Sequence, residues 1–237
     1  MVRGPAALLG AVSAAAAYVL VAPSLPQLRP PELSALVACA VGLALVVAIV
    51  AGVVLLADAP LALFPAVAGA GLIVAALDVN GVAAGATPFE AVLFACLGVA
   101  FAVLLDAPAL AFALPLFVAG VDIVQAYTGG SAGLFALSTA KPGDALTLEL
   151  PDWGTGLAAA RISVPAVLFL GAYAAYSRRL RMRERAAEAG MFVGLLVAAA
   201  CEILLDVELP ALALMCAGYL LANMGRFRSL LARAPER

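Results

Sequence analysis

Apolar residues run in blocks of 17 to 24 along the whole chain, and polar residues are confined to short breaks between the blocks. A helix needs about 20 apolar residues to cross a hydrocarbon core of about 30 Å. The pattern therefore predicts eight membrane-spanning helices, over 5–22, 33–56, 60–77, 88–105, 107–127, 157–176, 189–205 and 209–225. Prolines and acids mark the breaks: Pro30 and Pro31, Asp58 and Pro60, Asp78 with Asn80 and Gly81, Asp106 and Pro108, and Asp206, Glu208 and Pro210. Proline suits the first turn of a helix, where its missing N–H has no partner to lose. One break is longer, 128–156, and within it residues 145–150 alternate apolar and polar between Gly143 and Pro151, the signature of a short strand. A lone strand has to find a partner or lie on the membrane surface.

Composition sharpens this reading. Hydrophobic residues make up 66% of the 237 positions and charged residues only 12%, with a mean hydropathy of +1.14. A water-soluble domain of this length carries more charge on its surface, so lipid is the expected solvent and the bilayer the first partner. The expected fold is an all-α polytopic membrane protein forming one transmembrane domain over 1–237. Its parts are the N-terminal spans 1–106, a core 107–225, the loop 128–156 and a basic tail 226–237. The first block, with Arg3 ahead of an Ala/Leu/Val run, has the look of a signal peptide and is read as a retained span because membrane segments follow it throughout.

Charge sets the orientation. Five arginines crowd 177–188 and four more lie in 226–237; of the thirteen basic residues only Arg29, Lys141 and Arg161 fall on the other side once Arg3 is placed inside. The positive-inside rule then puts both termini and the 177–188 loop in the cytoplasm. The four cysteines, Cys39, Cys96, Cys201 and Cys216, all lie in apolar runs, and the chain has no histidine. No zinc or haem site, and no cofactor, is expected.

An ionisable group inside the hydrocarbon is costly and is a candidate for function by default. Asp58, Asp78, Glu90, Asp106, Asp206 and Glu208 fall at span ends, and Glu202 lies within a turn of one. Asp122 does not. It precedes Tyr127 by five residues, roughly 7–8 Å below the end of its span, on a helix that Pro115 and Gly120 weaken. Either it pairs with Arg161 as a structural ion pair, or it is a catalytic or transport carboxylate.

The residues around Asp122 and the opening of the last span carry a family resemblance. Residues 121–127, VDIVQAY, resemble the Tyr-Asp motif of the presenilin and signal peptide peptidase group of intramembrane aspartyl proteases, with Val121 in place of the tyrosine. Pro210, Ala211 and Leu212 resemble the group's Pro-Ala-Leu motif. The order of loop, span, basic loop, span and Pro-Ala-Leu span is also similar, over roughly residues 107–225. The chain resembles most the short bacterial presenilin-like membrane proteins, which implies an integral protein of the bacterial plasma membrane. The group's Gly-x-Gly-Asp motif is not matched. Reading residues 162–169, ISVPAVLF, against it puts Ala166 where the second aspartate belongs, with Ser163 and Pro165 at its two glycines.

Aspartyl chemistry needs two carboxylates close enough to share a proton, one acting as base and one as acid. As written, the chain lacks one of them. The resemblance thus implies a scaffold, inactive through Ala166 (a pseudoprotease or an active-site variant), with Asp122 as the surviving acid. Pro210, Ala211 and Leu212 would shape a groove for single-span membrane proteins or signal-peptide helices. Leu146 and Leu148 would pair with the extended substrate, and Asp122 would stand opposite Ala166 across a helix pair with Pro210 at the same level. The alternatives are a non-enzymatic scaffold that holds helices and a small-solute or proton carrier using Asp122 and Arg161.

Overall fold

The structure, a computed structural model, describes residues 3–128, 147–155 and 157–231. Eight helices follow one another: α1 (Arg3–Val21), α2 (Pro31–Val54), α3 (Leu63–Val79), α4 (Ala83–Leu104), α5 (Pro108–Thr128), α6 (Val164–Arg179), α7 (Glu184–Leu205) and α8 (Ala211–Leu231). Six of them, α1 to α5 and α7, are long and apolar enough to cross a membrane. Leu20, Leu61, Phe64 and Leu72 are each at least 73% exposed, as side chains solvated by lipid should be. The protein is an all-helical polytopic membrane protein.

Between lipid-solvated helices there is little hydrophobic drive, so close approach depends on small residues. Helices α7 and α8 run antiparallel, with Gly190 against Gly218 and Gly194 against Leu214; a Cβ at Gly218 would collide with the Gly190 carbonyl. Helix α6 meets α4 in the same way, Gly98 lying on the Leu168 carbonyl and Gly171 on that of Ala95. Helix α2 lies centrally against α4, α6 and α7, while α1, α3 and α5 pack outside, on α2, α4 and α8 respectively. The aromatic centre is Tyr173, Tyr176 and Tyr219, all fully buried, with the rings of Phe169, Tyr173 and Tyr219 stacked in series.

The two ends of the bundle differ. At one, Arg178 pairs with Asp58 and Glu184, and Arg179 with Asp106. These charges belong to breaks that the alternation of spans places on one side. At the other end lies an antiparallel hairpin of β1 (Thr147–Pro151) and β2 (Ala158–Ser163), pairing Leu148 with Ile162, Glu149 with Arg161 and Leu150 with Ala160.

The hairpin corrects the expected span 157–176. Its first residues are strand, and the helix begins only at Val164. Alanine-rich 158–160 has high helix propensity, but the ladder with β1 satisfies its backbone. The lone strand expected at 145–150 found its partner in residues assigned to a helix. The switch is set by Ser163, whose Oγ accepts from the Ala166 N–H at 3.3 Å, with Pro165 in the first turn.

The hairpin is fastened to the helices beneath it. The Thr87 hydroxyl donates to the Glu149 carbonyl at 2.9 Å. The Trp153 indole N–H donates to the Tyr18 hydroxyl, which in turn donates to the Ala38 carbonyl, both at 3.0 Å. Leu150 packs on Gly42 of α2.

Candidate functional site

The buried positions of α5 are Ala111, Pro115, Val118 and Asp122. Their spacing of four, three and four residues makes one helical stripe, so Asp122 lies on the face that α5 presents to α8. The carboxylate reaches the start of α8. One oxygen accepts from the Ala213 N–H at 3.0 Å, and the Leu212 amide is a second backbone partner. The first amides of a helix have no intrahelical acceptor, and the helix dipole favours a negative charge beside them. Asp122 therefore caps α8 from another helix, next to Pro210, Ala211 and Leu212. It is 6% exposed.

Ala166 sits in the first turn of α6 and is 2% exposed. Its depth follows from the tyrosine stack. Helices α6 and α8 run parallel, and Tyr173 stacks on Tyr219 at 4.9 Å between centroids. Ala166 precedes Tyr173 by seven residues, and Leu212 precedes Tyr219 by seven. Each offset is about 10.5 Å of helix, so Ala166, Leu212 and the Asp122 carboxylate share one level. The lateral arrangement differs from expectation: α5 packs on α8 and hardly touches α6, so no direct α5–α6 pair carries the two positions. Cys216, one turn beyond Ala213, donates to the Tyr173 hydroxyl at 3.6 Å and joins α8 to α6 below this level.

Arg161 is not the partner of Asp122. It crosses the ladder to Glu149 at 3.3 Å, within the hairpin. Only the pairing of strands brings these residues together, because Glu149 was counted as loop and Arg161 as helix. Among the described residues no second carboxylate interacts with Asp122, and its environment is the amides of α8. Glu90 also departs from expectation. It lies two turns inside α4, is 9% exposed and stands near Asp78 and Glu149, rather than at a span end.

Leu148 is fully buried and paired with Ile162. The opposite edge of β1 is occupied where Thr87 holds the Glu149 carbonyl, and Pro151 has no N–H to offer. Neither outer edge of this two-stranded sheet has a further strand against it among the described residues. Leu146 lies outside the described residues. An arrangement with one capped carboxylate can hold a helix end or accept a proton, but it cannot supply acid and base together.

No family model, curated protein or solved structure matches this chain.

Proposed function

We propose that the protein is a presenilin-like membrane scaffold that binds single transmembrane helices and, lacking a carboxylate at position 166, does not cleave them. The observation that carries this reading is the hydrogen bond between Asp122 and Ala213, residues 91 apart in sequence. It holds Asp122 against the residue that follows Pro210, Ala211 and Leu212, which supports reading the two motif regions as parts of one site. The carrier reading loses its cation to Glu149. In the proposed orientation both termini and the arginine-rich end face the cytoplasm of a bacterial cell, as the charge distribution favours. The substrate class is a single-span protein or signal-peptide helix, entering beside Pro210, Ala211 and Leu212.

The test is purified protein in liposomes with a panel of single-span helices bearing photo-crosslinkers, read by adduct and fragment mass. The unmodified chain is expected to form adducts and no fragments. Ala166→Asp is compatible with the local helix, since an acid three residues after the Ser163 cap suits the first turn. It is expected to produce fragments, and Asp122→Asn added to it is expected to remove them. Cleavage by the unmodified chain that survives Asp122→Asn would refute the reading.

A further inference from the structure

A second feature lies at the opposite end of the same helix pair. Between the start of α5 and the end of α8 is a cavity of about 290 Å³, lined by Phe112, Leu220, Leu221, Met224, Phe227 and Arg228. Phe112 and Phe227 form its wall, with ring centroids 5.3 Å apart. It lies towards the end of the bundle where Arg178 and Arg179 are paired, since α5 begins just after Asp106, the partner of Arg179.

The lining identifies the occupant's chemistry. Five of the six side chains are apolar, which disfavours a water-soluble ligand. Leu221 and Met224 are 67% and 43% exposed on a surface solvated by lipid, so the cavity opens sideways into the bilayer rather than into water. Its single charge is the exposed Arg228, which has no acidic partner among the described residues. Of the acids at this end, Asp58, Asp106 and Glu184 are taken by Arg178 and Arg179, and Glu188 lies beside Glu184 and Arg185 on α7. An arginine in the last turn of a membrane helix extends its guanidinium to the headgroup level while its stem stays on apolar surface. Basic residues at such a place attract anionic headgroups, and a guanidinium matches the geometry of phosphate.

We propose that this α5–α8 cavity seats one acyl chain of an anionic phospholipid whose phosphate is held by Arg228. The proposal is independent of whether the protein binds or cleaves helices.

The experiment is native mass spectrometry of the full chain in detergent with equimolar phosphatidylglycerol and phosphatidylcholine. Phosphatidylglycerol is expected to be retained about fivefold over phosphatidylcholine, the effect of one arginine near an anionic headgroup. Arg228→Gln should bring the two lipids to parity, while Arg226→Gln, on the same turn of helix, should leave the preference in place. Met224→Trp, which fills the cavity from its exposed side, should lower retention of both lipids alike. Equal retention by the unmodified protein, a preference that survives Arg228→Gln, or an unchanged lipid load in Met224→Trp would each overturn the proposal.

Discussion

At the start of α8 the amides of Leu212 and Ala213 have no carbonyl one turn earlier to bond, and hydrocarbon offers no water in its place. The Asp122 carboxylate supplies the acceptor from α5. Asp122→Ala should therefore cost about 1–2 kcal/mol, the usual worth of a lost cap. Asp122→Asn should cost less, because its amide oxygen still accepts. Unfolding by heat in detergent, followed by helix signal, measures both. Equal and negligible losses would mean that α8 does not depend on the contact. This acid was legible as unusual in sequence because of its depth. Its partner was not, since the four-three-four stripe from Ala111 to Asp122 names the buried face but not the helix that covers it.

At the scale of elements, the sequence showed where most helices break because proline and acidic residues punctuate them. It failed at β2. Residues 158–161 are three alanines and an arginine, and nothing local distinguishes a helix from a strand there; the competing term is the non-local ladder with β1. The helix starts at Val164, behind the Ser163 cap and with Pro165 in its first turn, inside the stretch expected to be one continuous span. The hairpin also sets what a proline at Leu148 would do. The Glu149 carbonyl points to Thr87, away from β2, so Leu148, one residue earlier, directs its N–H towards β2. Leu148→Pro removes a ladder donor and disturbs a fully buried side chain. It should destabilise the protein by about 2–5 kcal/mol, the usual cost of losing a buried leucine side chain, and loosen the hairpin from α4, which amide hydrogen exchange at Ala160 and Ile162 would report. Unchanged protection there would mean that the hairpin does not rely on this pairing.

For the whole molecule, the ion pairs of Arg178 and Arg179 gather Asp58, Asp106 and Glu184 at one end, while the hairpin, Asp122 and the start of α8 lie at the other. This sorting agrees with an alternating path of spans, and the charge bias then predicts which end is cytoplasmic. Cysteine labelling in intact cells tests it. Ser177 is fully buried and unsuitable, whereas Arg185 and Val79 are exposed at opposite ends. Arg185→Cys should resist an impermeant maleimide until the membrane is opened, and Val79→Cys should react from outside. The reverse pattern would invert the molecule. Most of this architecture was legible because twenty-residue apolar runs have few alternatives in a bilayer. Which helices touch was not, because that choice rests on glycine contacts such as Gly190 with Gly218, which an alanine- and glycine-rich chain offers at many places.

The contact between Asp122 and α8 also bears on descent. On the proposed presenilin-like reading, with alanine in place of a partner carboxylate, selection for hydrolysis would no longer protect Asp122. Selection for a chain that folds still would, because a substitution there uncaps a helix. Loss of a reaction and loss of its residues are thereby uncoupled, and one half of a catalytic pair can outlive the other for reasons unrelated to any substrate.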